Sequence, residues 1–205
     1  MEFERKNVVG IYSEISGHFS RTRHYKWNWV EGFIGALPDG SEVLDIGCGN
    51  GRNMENTAHR FVGIDNCPEF VDMCREDGKE ALIADMCDMP FGNNRFDAVI
   101  SVASFHHLSN ISRRLDAMNE IHRVLKPGGT CLLSVWAKDQ PEKTRRKFPR
   151  YGENFVPWKT PEGKEYKRYY HIFRIPELTS IAKLCGLTII KHETICGNEV
   201  FTLKK

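Results

Sequence analysis

Residues 42–51 read EVLDIGCGNG: a short apolar run, an aspartate at 45, and glycines at 47, 49 and 51. Glycines placed directly after a strand-like run let the backbone turn sharply and let a ligand approach it closely. Further β-rich apolar runs follow at RFVGID (60–65), EALIAD (80–85), FDAVISVAS (96–104) and TCLLSVWA (130–137). The last two are apolar almost throughout, as strands covered on both faces of a parallel sheet are. Helical patterns separate these runs at 50–58, 68–78 and 110–126. In the last of them Ile111, Leu115, Met118, Ile121, Val124 and Leu125 form one stripe, and KPGG (126–129) ends it. Such alternation predicts an α/β fold, a doubly wound and mostly parallel sheet with right-handed crossovers. Ligands of such sheets bind outside the carboxyl ends of the strands. A helix over 175–186 and two β-rich runs around ICG (195–197) predict a terminal antiparallel hairpin.

The 205 residues suffice for one domain with its own core. Its expected parts are a helical N-terminal lid (1–39), a glycine-loop core (40–137), an insert (138–174) and the terminal helix and hairpin (175–205). The formal charge of +2 implies no polyanion partner by itself, but its distribution is uneven. Residues 138–174 hold eleven Lys/Arg against five Asp/Glu, which leaves a mildly acidic remainder. Seven cysteines without a C-x-x-C pair predict reduced thiols, a cytoplasmic location and no zinc site. The sequence has no run of 18 apolar residues and no apolar leader, so no membrane association is expected.

The glycine spacing narrows the ligand. Dinucleotide loops read G-x-G-x-x-G and aim N–H groups at a pyrophosphate. Here the spacing is G-x-G-x-G, with Asp45 two residues ahead of Gly47. A carboxylate there is awkward for a pyrophosphate and suits a ligand carrying an ammonium and a sulfonium, as S-adenosylmethionine does. Asp65 ends the second strand, where an acid accepts from ribose hydroxyls. Asp85 ends the third, placed to accept from an adenine amino group beside Met86, and Ser101 on the fourth strand is a further cofactor candidate. Each acid taken alone is also a plausible cap or turn residue; three in register at strand ends point to a site. Residues 40–137 thereby resemble the class I S-adenosylmethionine-dependent methyltransferases. The resemblance implies a Rossmann-like sheet of seven strands with the last antiparallel.

The flanking segments resemble one family within that class, the eukaryotic tRNA methyltransferases that esterify a carboxymethyl group on wobble uridine. The matching pieces are IYSEISGHFSRTR (11–23), the HH and RR of residues 101–114, FVPW (155–158) and RYYH (168–171). The resemblance implies a tRNA anticodon loop as substrate and a heterodimer with a small zinc-binding activator protein. We expect that activator at the third strand, an edge open to an added strand.

A carboxylic acid is ionised at neutral pH and needs cations to hold it rather than a base to deprotonate it. The candidates for that task are Arg23, His106 and one of Arg113 and Arg114, with His106 favoured over His107 as the histidine facing the pocket. Tyr12 is expected to cover the cofactor. Arg145, Arg146, Lys147, Arg150, Trp158 and Arg168 are expected to contact tRNA. Two alternatives stay open on the residues alone: a small-molecule methyltransferase, and a non-catalytic S-adenosylmethionine-binding scaffold.

Overall fold

The computed structural model describes residues 2–23, 25–144 and 147–205. Its centre is a seven-stranded sheet of β1 (Glu42–Ile46), β2 (Arg60–Asp65), β3 (Ala81–Ile83), β4 (Phe96–Val102), β5 (Leu125–Trp136), β8 (Thr188–Ile195) and β9 (Asn198–Lys204). Their order is β3-β2-β1-β4-β5-β9-β8. The first five strands run parallel, and β9 inserts antiparallel between β5 and β8. Strand order reverses between β1 and β4, which opens a crevice above their carboxyl ends.

Alternate side chains of each strand serve opposite faces. Leu44, Val99, Cys131, Leu133 and Val135 pack with α5 (Ile111–Val124) and α6 (Ile175–Leu184). Val43, Ala98, Ile100, Val102 and Leu132 pack with α3 (Asn28–Gly35) on the other side, and α4 (Pro68–Glu76) covers β2 and β3 there. Helix α5 begins where expected because Asn110 Oδ1 accepts from Arg113 N at 3.0 Å, a side-chain cap of the first turn. Among the described residues no helix is long and apolar enough to cross a membrane.

Two local expectations are corrected. Residues 50–58 form turns rather than a helix. Gly51 is left-handed (φ 70°) and Asn50, Asn53, Asn56 and Thr57 are poor helix formers, so the link from β1 to β2 stays short. Helix α5 ends ahead of KPGG as expected, but β5 begins at Leu125 rather than at 130 and draws KPGG in, with a register shift between Phe96 and Ala98 of β4. Within the insert, β6 (Gly152–Lys159) and β7 (Glu165–Ile172) form an antiparallel ribbon.

That ribbon folds back over the crevice and meets an N-terminal arm. The arm is α1 (Glu2–Glu4), a π-helical segment (Arg5–Val9) and α2 (Gly10–Arg21). Trp158 packs on Phe19 (5.5 Å between ring centroids) and His18 (5.2 Å), and Tyr166 Oη donates to Glu14 at 3.1 Å. Gly47 sets how close the sheet's centre is to the crevice. Its φ is +72°, and a Cβ there would sit 2.3 Å from Ser104 Cβ. Gly47→Ala is therefore expected to destabilise the protein by about 2 kcal/mol or more, combining left-handed strain with a clash that no rotamer relieves. Thermal unfolding checks this; an unchanged midpoint would contradict the close approach.

Candidate active site

A cavity of about 480 Å³ lies above β1, β2 and β4, beneath the arm and the ribbon. At the end of β1 the N–H groups of Gly47 and Cys48 both reach the Ile64 carbonyl, at 2.8 and 3.0 Å. This pair of bonds folds the glycine loop toward Asp65. Asp65 Oδ2 accepts from Gly49 N (3.0 Å) and Oδ1 from Cys67 N (2.9 Å). Each oxygen keeps a lone pair for a ligand, and burial holds this carboxyl above its ordinary pKa. Ala84, Met86, Phe70 and Leu108 supply apolar wall.

The other two strand-end acids stand behind the wall. Asp45 is fully buried; Oδ2 accepts from Asn53 Nδ2 at 3.4 Å and Oδ1 has no partner among the described residues. Burial pushes its carboxyl up to about 7, against smaller help from Asn53 and Arg52. Asp85 does not present its carboxylate to the cavity, contrary to expectation. Its oxygens accept from Arg113 Nη2 at 2.9 and 2.8 Å and from Cys87 N at 2.9 Å, and only its neighbours Ala84 and Met86 line the space. Ser101 likewise lies one layer back, hydrogen-bonded to Ser104, whose hydroxyl donates to the Ile46 carbonyl at 2.8 Å.

The far end of the cavity is cationic and aromatic. His106 is corrected to a core residue: its ring packs on Trp136 and Tyr170, and Nδ1 accepts from Trp136 N at 3.1 Å. His107 lines the cavity instead. Its Nδ1 faces the Tyr169 carbonyl at 2.8 Å, which only accepts, so the proton is on Nδ1 and Nε2 accepts from Tyr12 Oη at 3.2 Å. Burial pushes this imidazole down to about 3, so it is neutral. The Tyr12 oxygen in turn accepts from Tyr170 Oη (3.1 Å) and Arg168 Nη1 (3.3 Å).

Neither arginine of the RR pair reaches this space. Arg113 is bound to Glu4 and Asp85, and Arg114 lies under the Leu108 carbonyl at 3.2 Å and beside Glu177 at 3.5 Å. The cavity's arginines are Arg23, Arg52 and Arg168. Arg23 sits over the Phe19 ring at 4.7 Å, and burial lowers its pKa. Arg168, expected on the tRNA side, is only 3% exposed. It lies over Trp158 (4.8 Å) and Tyr170 (5.3 Å), has no carboxylate in ion-pair contact among the described residues, and its Nε has no partner among them. Trp158 thus supports Arg168. Lys147 and Arg150 are exposed on the insert, while Arg145 and Arg146 lie outside the described residues. Sequence reasoning also missed Asn198, a buried wall residue whose Nδ2 is tied to the Ile195 and Cys196 carbonyls at 3.4 and 3.3 Å.

The residues fit S-adenosylmethionine. Asp65 and the loop from Gly47 to Asn50 suit its ribose and amino-acid part, and Met86 and its apolar neighbours its adenine. Asp45, behind the loop with one oxygen unpartnered among the described residues, favours a positive charge nearby without touching it. Comparison with known proteins agrees. Residues 44–133 match the model of a methyltransferase domain family. A Schizosaccharomyces pombe tRNA (carboxymethyluridine(34)-5-O)-methyltransferase is 37% identical, over 94% of this chain and 93% of its own length. An Arabidopsis thaliana protein of the same name is 44% identical over 68% of this chain, which spans only 35% of that longer protein. Among solved structures, a complex of the Haloferax volcanii Trm112 methyltransferase activator with a putative methyltransferase matches at a TM-score of 0.69 and 18% identity, over 94% of this chain and 96% of that one. At that identity the likeness concerns the fold.

Asp45 gives the site a pH signature. Its folded pKa lies above its unfolded value of 3.8, so its contribution to stability is present below pH 3.8 and lost as pH rises toward about 7. A cationic ligand favours the ionised form. S-adenosylmethionine binding at pH 6.5 is therefore expected to release protons and to tighten as pH rises, and Asp45→Asn to abolish both effects. Calorimetry in buffers of different ionisation enthalpy reads the release; no buffer dependence in the wild type would contradict it.

Proposed function

Because the chain belongs to the tRNA (carboxymethyluridine(34)-5-O)-methyltransferase family, we propose that it methylates the carboxylate of 5-carboxymethyluridine at the wobble position of tRNA, with S-adenosylmethionine as donor, to form the methyl ester. The observation that carries this reading is Arg168, a buried guanidinium at the acceptor end of the cavity without a counter-ion among the described residues. A buried cation of this kind is stabilised by an anionic ligand, and a planar fork matches a carboxylate.

When bound, S-adenosylmethionine supplies a methyl group on a sulfonium sulfur, and the displacement exchanges a C–S bond for a C–O bond with no proton to move. The protein's task is alignment and exclusion of water. Arg168 holds the carboxylate, with Arg23 as the second cation beside it. Tyr12, Tyr170 and Trp136 wall off water, and the Trp136–Tyr170 stack (4.2 Å between centroids, 8° between planes) makes that wall rigid. The Asn198 amide oxygen, left over once Nδ2 is tied down, suits the ring N–H of a uracil. His107 serves as a strut: neutral and with both nitrogens engaged, it orients Tyr12 rather than removing a proton. The ester product has lost its charge, so Arg168 holds it less tightly than the acid.

The exposed Lys147, Arg150, Lys159 and Lys167 supply phosphate contacts for tRNA beside this opening. We also place an activator protein at β3. That strand is a sheet edge paired only with β2, and Ile83 on it is 53% exposed.

The test is methyl transfer from labelled donor to tRNA bearing unesterified 5-carboxymethyluridine, in the presence of the activator. Label recovered as a base-labile ester of that nucleoside is expected; label elsewhere in the RNA, or none, would overturn the reading. Arg168→Met is expected to lower kcat/KM for tRNA by about a hundredfold, the scale of one lost charge-assisted contact, with donor affinity nearly unchanged. At saturating donor, kcat is expected to stay flat from about pH 6 to about 8.5, since no group needs to be deprotonated in that range. An alkaline-rising limb near neutrality would point to a general base.

A further inference from the structure

Arg113 and Asp85 lie outside the cavity, yet they are joined to a residue that lines it. Glu4 Oε1 accepts from Ser109 N at 2.7 Å and from Ser109 Oγ at 2.8 Å. Glu4 Oε2 accepts from Arg113 Nε at 3.1 Å and Nη2 at 2.8 Å. The same Nη2 binds both oxygens of Asp85, in the turn after β3. One guanidinium therefore ties the N-terminal arm to α5 and to the end of β3. Glu4 is 7% exposed, so this carboxylate is desolvated and held entirely by those four bonds.

From Glu4 the arm crosses the cavity. Glu4, Val8, Val9 and Tyr12 all line it, and Met86 and Leu108 lie on the same walls. From Arg5 to Val9 the backbone is π-helical, a rare geometry found often at functional sites. Apart from Glu4, the first turn of the arm is held by the Phe3 ring edge-on to Tyr169, 5.0 Å between centroids. With Tyr12 fixed by His107, Tyr170 and Arg168, the arm is pinned at two places about two helical turns apart, one polar cluster at each end of the cavity.

We propose that Glu4 is a positioning residue for the methyl donor: through Ser109 and Arg113 it holds the arm shut over the cofactor, so that donor and product exchange only when this carboxylate lets go. Asp85 sets the pivot. By gripping Arg113 from the β3 side it makes arm closure depend on the conformation of that strand's end. The proposal rests on the cavity being the S-adenosylmethionine site.

Stopped-flow tryptophan fluorescence on the full chain measures release of the product S-adenosylhomocysteine. Glu4→Gln keeps the shape and removes the charge; release is expected to accelerate about tenfold, as loss of charge-assisted bonds implies. Arg113→Met is expected to do the same, and the double variant to add nothing further, because both act through one contact. Ser109→Ala removes one bond of the four and is the milder variant should the others not fold; about a two- to threefold acceleration is expected. Hydrogen exchange in ligand-free Glu4→Gln separates positioning from general loosening. Amides of residues 5–12 are expected to exchange faster, with β1 and β4 unchanged. Release at the wild-type rate, additive effects in the double variant, or faster exchange throughout the core would each overturn the latch. Wild-type protein that does not bind S-adenosylhomocysteine would overturn the cofactor reading and the latch together.

Discussion

Leaving a guanidinium in a low-dielectric cavity without a counter-ion costs several kcal/mol, and among the described residues Arg168 has none. The surroundings are arranged so that the charge persists. Two aromatic faces, Trp158 and Tyr170, lie against it, and the Tyr12 oxygen accepts from it. Those partners come from both strands of the ribbon and from the arm, so the ribbon and the arm meet around one cation that has no carboxylate beside it among the described residues. In the proposed reaction the acceptor brings the missing anion, so binding energy is concentrated on a charge that esterification then removes.

The two ends of the cavity use opposite electrostatics. At the donor end, desolvation raises the carboxyl pKa of Asp45 and Asp65, so negative charge there is stabilised when a cation arrives. At the acceptor end burial lowers the pKa of Arg23, so an arriving anion favours its charged form. On the proposed reading, donor and acceptor each supply the charge that one end lacks. Tyr12 belongs to the acceptor end. Its hydroxyl is donor to a histidine that cannot charge and acceptor from an arginine that stays charged, so its orientation is fixed at every physiological pH.

The strand runs and the doubly wound order are legible in apolar periodicity from residues 42–51 outward. The contact between the glycine loop and Asp65 was not, because it depends on how the loop folds toward β2. The histidines were not legible for a definite reason. Ala103 leaves β4 in the left-handed region (φ 56°), and Phe105–His107 is a 3-10 turn, so strand parity no longer says which ring faces the cavity. The RR pair misled because both arginines are consumed by partners distant in sequence, Glu4 and Glu177. Arg168 carried a usable signal. In RYYH it shares a strand face with Tyr170, and both meet Tyr12, but that reading requires β7 to be recognised as a strand, which the charged composition of the insert obscured.

The central claim is that Arg168 reads the acceptor's negative charge. Its most direct test is equilibrium binding of two anticodon stem-loops to protein loaded with S-adenosylhomocysteine, one bearing 5-carboxymethyluridine and one its neutral carboxamide. The account predicts that the wild type prefers the acid by about tenfold or more and that Arg168→Met loses most of that preference. Equal binding of the two by the wild type, or an undiminished preference in Arg168→Met, would contradict it.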